Sequence, residues 1–395
     1  LRDSAESAAL RHVFFAERSA LKVAKIEGVT PREVRSVGIV GTGLMGAGIA
    51  AAALVAGFRV IGIEQAPEAA DKGRERIASL LERAEQAGRL DPAARDDCLS
   101  RLTVGTDAGL LAPADLVIEA VFDDLAVKTE LFRRLDGIVR VDAILATNTS
   151  YLDPDEIAAA TALPERVVGL HFFSPANVMR LVEVVDCKAT APEVLATAHA
   201  FARRLGKLPI VCGVTEGFIG NRIFSAYRRE AEFMVEDGAA PEEVDAALEA
   251  YGFPMGIFAA NDLAGLEIAW ARRKRQAATR RPEERYVEIA DRLCEAGRLG
   301  RKSGRGWYDY SSGQRAVDSQ VTAIVEAARA AKGIAARTFT PQEIVSRLLK
   351  AMAEEGAALL SEGVAARASD IDLVMINGYG FPAHKGGPMF AAGLG

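Results

Sequence analysis

"SVGIVGTGLMGAGIAAAALVAGFRVIGIE", Ser36 to Glu64, sets the architecture of the chain. From Ser36 to Phe58 it carries no charged residue and is roughly as long as a membrane span. Six glycines and a β-type start argue against a spanning helix. The stretch divides instead into a buried strand "SVGIV", a glycine turn "GTGLMG", a helix "AGIAAAALVAG" closed by Gly57, and a second strand "RVIGIE".

Gly41, Gly43 and Gly46 form GxGxxG directly after the first strand and open the helix. The first glycine permits a tight turn, the second lets a pyrophosphate approach the backbone, and the third lets helix and strand pack closely. Partial positive charge at the helix N-terminus favours the same anion. Glu64 ends the second strand 23 residues after Gly41, where a carboxylate accepts hydrogen bonds from a ribose 2′-hydroxyl and repels a 2′-phosphate. NAD is therefore expected in preference to NADP, although Arg59 lies on the same strand. A glycine turn used only for packing is the competing reading.

Working outward, "ADLVIEAV" (114–121), "AILATN" (143–148), "RVVGLHFF" (166–173), "LVEVV" (181–185) and "LPIVCG" (208–213) read as further strands with helices between several of them. This alternation predicts an α/β, Rossmann-type doubly wound sheet. Residues 4–26 read as an amphipathic helix. After Thr215 the chain turns helical. A weak internal repeat aligns Arg222 with Arg347, Glu230 with Glu355, Gly238 with Gly363, and "YGFP" at 251–254 with "YGFP" at 379–382. A duplicated all-α C-terminal domain follows from it. The expected division is a linker helix over 1–34, a nucleotide-binding domain over 35–213, a first helical domain over 214–312, and a linker with a second helical domain over 313–395.

The net charge of −6 gives no reason to expect nucleic acid. Cysteines 98, 187, 212 and 294 show neither CxxC spacing nor a metal-ligand cluster, so reduced thiols in a cytoplasmic setting and no metal are expected. The basic segment 271–286 reads as a solvated helix and loop. Arg74, Arg76 and Arg83, on the helix after the second strand, read as a solvated helix face.

The chain has four histidines. His171 ends one strand and Glu183 the next, so the two form either an acid–base pair or an ordinary buried hydrogen bond. A nicotinamide enzyme oxidising an alcohol needs a base for the hydroxyl proton. Histidine suits that task, and a neighbouring carboxylate stabilises the imidazolium and fixes its tautomer. Ser150 in "TNTS" and Asn221 in "GFIGNR" are neutral groups suited to an oxygen that alternates between hydroxyl and carbonyl, or they are turn and cap residues. His12, His199 and His384 are expected to be non-catalytic, with His199 on a surface helix.

The set "GTGLMGAGIA", "NTS", "HFFSP…MRLVEV", "GFIGNR" and "GRKSGRGWYDY" resembles the 3-hydroxyacyl-CoA dehydrogenases, in particular the dehydrogenase part of multifunctional β-oxidation enzymes. The resemblance covers nearly the whole chain. It implies NAD-dependent oxidation of (S)-3-hydroxyacyl-CoA to 3-oxoacyl-CoA, with His171 as base, Glu183 orienting it, and Ser150 and Asn221 binding the substrate oxygen. The implied cofactor contacts are Gly41, Gly43, Leu44, Met45, Gly46, Glu64, Asp123, Lys128, Ser150, Ser174 and Lys302; single-function relatives usually carry glutamate at the Asp123 position. It also implies an acyl-CoA substrate and an enoyl-CoA hydratase domain N-terminal to this part in the multifunctional proteins. The second repeat has Ser346 where the first has Asn221, and so reads as a structural partner. One chain holding both repeats favours a monomer. A dehydrogenase of a free hydroxy acid and a non-catalytic cofactor-binding relative are the rival readings.

Overall fold

The uncharged run beginning at Ser36 becomes strand β1 (Ser36–Val40), buried at every position, followed by helix α2 (Leu44–Val55) and strand β2 (Arg59–Ile63). The amphipathic N-terminal segment forms helix α1 (Ala5–Ala20), capped by the Ser4 side chain. The structure is a computed structural model that describes residues 4–278 and 280–395. Two compact units make up the chain, one comprising 1–222 with 356–379 and the other 223–355 with 380–395.

In the first unit, the long charged helix is α3 (Pro67–Gln86), followed by α4 (Pro92–Ser100) and strand β3 (Leu102–Gly105). Then come β4 (Leu116–Glu119), α5 (Leu125–Asp136), β5 (Ile144–Thr147), α6 (Pro154–Ala158), β6 (Val167–Phe172), β7 (Leu181–Val185), α7 (Pro192–Arg204) and β8 (Leu208–Cys212). These strands form one eight-stranded sheet in the order β3-β2-β1-β4-β5-β6-β7-β8. All neighbours are parallel except β6 and β7. One apolar layer joins Ile49, Leu54, Ile77, Leu81 and Phe201 to one face of the sheet; Phe132, Leu135 and Ile157 cover the other. The doubly wound reading holds. Strand β3 was not legible in the sequence, being four residues long on the sheet edge with an exposed Thr103.

At the opposite edge the second repeat meets the end of β8. Gly213 N–H donates to Val364 O at 2.8 Å, and Ala365 bridges Cys212 antiparallel. Among the remaining helices are α8 (Gly220–Asp237), α9 (Pro241–Tyr251), α10 (Ile257–Ala264), α11 (Leu266–Gln276), α12 (Ile289–Glu295), α13 (Ser319–Lys332), α14 (Pro341–Ser361) and α15 (Ala368–Tyr379). Helix α13 occupies much of the segment read as a linker. In the first unit α15 packs along α1, tied by His12 Nε2 to Asp372 at 2.8 Å.

In the second unit, buried carboxylates fix the loops. Asp245 accepts hydrogen bonds from Phe258 N–H, Ala259 N–H and the Tyr308 hydroxyl; Asp262 accepts from Trp307 N–H and Tyr308 N–H. The repeats meet through their motifs: the Phe253 and Phe381 rings lie 5.2 Å apart, edge to face. A Cβ at Gly252 would lie 3.1 Å from Pro382 and one at Gly380 3.0 Å from Pro254, so the glycine of each copy faces the proline of the other. Arg347 of the second copy pairs with Glu230 of the first at 2.6 Å. The basic segment is more than a solvated face, since Arg273 pairs with Asp291 and Arg285 with Glu236 and Asp237.

Candidate active site

The antiparallel register of β6 and β7 sets His171 directly opposite Glu183. Twelve residues apart in sequence, the two become cross-strand neighbours with side chains on one face. His171 Nδ1 lies 2.6 Å from Glu183 Oε2. Glu183 stands in the middle of β7 and is completely buried, whereas 6% of the His171 side chain remains exposed. The imidazole is thus the member of the pair that can meet a substrate. Its Nε2 lies 3.1 Å from Ser150 Oγ, in the loop after β5.

A buried carboxylate needs more than one partner. Glu183 Oε1 accepts from Ile219 N–H at 3.0 Å and Gly220 N–H at 2.9 Å, at the N-terminus of α8. These amides have no intrahelical acceptor, and the helix dipole adds favourable potential. Phe218 turns the chain there through a positive φ of 49°, an uncommon conformation for a bulky residue, and its ring lies 5.5 Å from the imidazole. "GFIGNR" therefore anchors the acid of the pair as well as supplying Asn221. The Asn221 Oδ1 accepts from the Tyr379 hydroxyl at 2.9 Å.

At the glycine turn, Gly41 has φ +86°, and a Cβ on it would stand 2.9 Å from Ala120 O. A Cβ on Gly46 would stand 1.8 Å from Gly41 O, so only glycine fits. At Gly43, the N-cap of α2, an added Cβ meets nothing within 4 Å. The first and third glycines are thus demanded by the chain itself, and the second is not, as expected for a ligand cradle. Leu44 is 70% exposed and Met45 half-buried on the first turn of α2. Glu64 Oε1 accepts from Thr42 N–H at 2.5 Å and Thr42 Oγ1 at 2.9 Å, which holds the carboxylate against the turn. Arg76 donates to Thr42 O and Arg74 to Val104 O, so both brace backbone beside β2.

Lys128 lies entirely buried on α5, with Nζ 2.6 Å from Glu119 Oε1 and 3.5 Å from Asp123 Oδ1. Glu119, at the C-terminal end of β4, also accepts from Val121 N–H and the Thr147 hydroxyl. Asp123 accepts from the Thr149 hydroxyl at 2.6 Å. Ser174 is exposed in the loop after β6, in cis linkage to Pro175. Lys207, its pKa pushed down to about 8 by burial, donates to Ala176 O and Met179 O and pins that loop. Lys302 belongs to the second unit, where it pairs with Glu267.

Three features escaped the sequence reading. Glu119 offered the same signal as Glu64, a carboxylate closing a buried strand. Tyr379 lay in a visible motif, but its link to Asn221 spans 158 residues. His199 is corrected outright: it is 4% exposed on α7, not on a surface, because its helix face packs on the sheet. Burial, with the Glu183 charge behind it, pushes the Cys212 thiol well above its ordinary range, and burial takes Cys187 up to about 12. Neither is a thiolate nucleophile. Among the described residues no group of His, Cys, Asp and Glu could hold a metal, and no helix is long and apolar enough to cross a membrane.

Residues 36–215 match the 3-hydroxyacyl-CoA dehydrogenase NAD binding domain and residues 217–310 the C-terminal domain of the same family. Over its whole length the chain is 39% identical to the peroxisomal bifunctional enzyme of Danio rerio, of which it covers 57%. It is 36% identical to the fatty acid oxidation complex subunit alpha of a Shewanella strain, matching over 98% of this chain and 54% of that one. The chain thus spans little more than half the length of these curated relatives. The crystal structure of 3-hydroxybutyryl-CoA dehydrogenase from Escherichia coli K12 superposes with a TM-score of 0.80 at 31% identity, covering 92% of both chains.

Proposed function

The chain belongs to the 3-hydroxyacyl-CoA dehydrogenase family, and on that premise we propose that it oxidises (S)-3-hydroxyacyl-CoA to 3-oxoacyl-CoA with NAD, in fatty-acid β-oxidation. The hydrogen-bonded line Glu183–His171–Ser150 carries the reading. With Nδ1–H directed at Glu183, His171 keeps the Nε2 lone pair for the proton of the substrate hydroxyl. The imidazolium that forms is stabilised by the buried carboxylate, itself held by two backbone amides. Ser150 and Asn221 hold the substrate oxygen as it changes from hydroxyl to carbonyl. Bound NAD supplies the hydride acceptor for C3. The residues fit that cofactor: the open backbone at Gly43 and the amides of α2 suit a pyrophosphate, and Glu64 suits ribose hydroxyls. Leu44, Met45, Asp123, Lys128 and Ser174 complete the proposed cofactor set, with Glu119 fixing Lys128.

The functional division we propose keeps 35–213 for the cofactor and 214–312 with 313–395 for the two helical repeats, preceded by a linker helix over 1–34. The share of the relatives covered supports an enoyl-CoA hydratase domain on the remaining part of the full-length protein. The mutual packing of the two repeats supports a monomer. Four buried free cysteines support a reducing compartment, which we take as the cytoplasm.

The test is NADH formation, followed by absorbance, from (S)-3-hydroxybutyryl-CoA with wild type and His171→Ala. Loss of the base should lower turnover about a hundredfold or more. Equal turnover in both proteins, or no NADH from any 3-hydroxyacyl-CoA, refutes the assignment.

A further inference from the structure

We propose that Tyr379, contributed by the second helical repeat, is a positioning residue for the reaction and acts through Asn221. The inference rests on the dehydrogenase reading above and assigns a chemical task to a repeat that otherwise reads as structural.

Asn221 carries both a carbonyl oxygen and an amide nitrogen, and only the nitrogen donates. The oxygen that forms at C3 needs donors, because it gains carbonyl character as its proton leaves for His171. An asparagine free to rotate about its last torsion would offer either end. Here the Tyr379 hydroxyl donates to Oδ1 at 2.9 Å. In this arrangement the hydroxyl engages the oxygen end, which leaves Nδ2–H as the end offered to substrate.

The local sequence makes room for this bond. A Cβ at Gly220 would lie 2.3 Å from Tyr379 Cε2 and 2.8 Å from its hydroxyl. Residue 220 is thus glycine where the tyrosine ring crosses the first turn of α8. The ring packs edge-on against Phe173, at 5.7 Å and 83°, and Phe173 lies 4.6 Å from the His171 ring. A Cβ at Gly378 would meet Leu181 at 2.8 Å and Phe173 at 3.2 Å, so the residue before Tyr379 is also held against the sheet. Tyrosine, asparagine, phenylalanine and histidine therefore form one packed group inside the first unit.

The repeat itself sharpens the point. Its two copies each carry the YGFP tyrosine, Tyr251 and Tyr379, but the asparagine occurs only in the first, with Ser346 in its place in the second. The tyrosine of the copy without the asparagine serves the asparagine of the other. Duplication has thus placed the two halves of one donor arrangement on different repeats.

A double-mutant cycle on the whole chain tests this. Tyr379→Phe removes only the hydroxyl. It should lower kcat with (S)-3-hydroxybutyryl-CoA about three- to tenfold, the worth of one neutral hydrogen bond, with the KM for NAD unchanged. In an Asn221→Ala background the same substitution should change kcat by less than about twofold, since its target is gone. Unchanged kcat in Tyr379→Phe overturns the inference, and so does an equal loss in both backgrounds, which marks a role independent of Asn221. A wild-type protein that oxidises no 3-hydroxyacyl-CoA refutes the underlying reading instead, so the two failures are told apart.

Discussion

Glu183→Gln is the sharpest perturbation of the proposed mechanism, because the structure allows its cost to be worked out. The carboxylate accepts three hydrogen bonds, from Ile219 N–H and Gly220 N–H on Oε1 and from His171 on Oε2. Glutamine has one oxygen. If that oxygen keeps both backbone amides, the new NH2 faces Nδ1, which must then be the unprotonated nitrogen of the ring. Nε2 carries the proton instead, and the base has no lone pair for the substrate. If the amide flips to preserve the working tautomer, its NH2 faces the two N–H groups and both lose their acceptor. Each buried unsatisfied donor costs about 1–3 kcal/mol, so the working arrangement lies about 2–6 kcal/mol above the idle one. That corresponds to a loss of roughly 30-fold to 10⁴-fold in kcat. Folding should suffer little, because the idle arrangement keeps both backbone hydrogen bonds. The assay is steady-state NADH formation at saturating substrate and NAD, with a thermal melt beside it. A kcat within threefold of wild type would show that Glu183 does not set the tautomer of His171, and the acid–base assignment would fall.

The glycine turn separates packing from binding. Gly43→Ala adds a Cβ into open backbone and should raise the Kd for NAD about tenfold, roughly 1.4 kcal/mol, without moving the melting temperature; Gly46→Ala, with its Cβ 1.8 Å from Gly41 O, should lower the melting temperature outright. Unaltered NAD affinity in Gly43→Ala removes the cradle. A pH prediction concerns His199, whose pKa is lowered from 6.5 to about 4 by burial, assisted by Arg203. The unfolded chain binds this proton more tightly than the folded one, so stability from this group is full above pH 6.5 and drains as pH falls towards 4. The loss reaches at most about 3 kcal/mol, from the gap between 6.5 and about 4. Urea melts between pH 7 and 4.5 should show a shallower acid loss in His199→Gln, and an identical slope in both proteins rules the account out.

Much of the site was legible because its elements are local. GxGxxG, a carboxylate closing the next strand, and polar residues at strand ends all lie within short windows, and backbone geometry alone gives them meaning. His171 and Glu183 were legible as a pair because adjacent strands bring residues of matching position together. Their immediate sequence also allowed an inert buried bond, and nothing local distinguished the two. The structure adds that the imidazole keeps 6% of its surface exposed and the acid none.

The chain by itself determined the β-α alternation, the cofactor turn and the repeat, since periodicity and glycine placement act over a few residues. Tertiary structure alone decided which backbone amides receive Glu183, that Glu119 holds Lys128, that His199 is interior, and that Tyr379 reaches Asn221. These are contacts between side chains or amides whose partners are chosen by packing. Strand register and helix docking fix such distances to a few ångströms, and residue order carries no direct record of them.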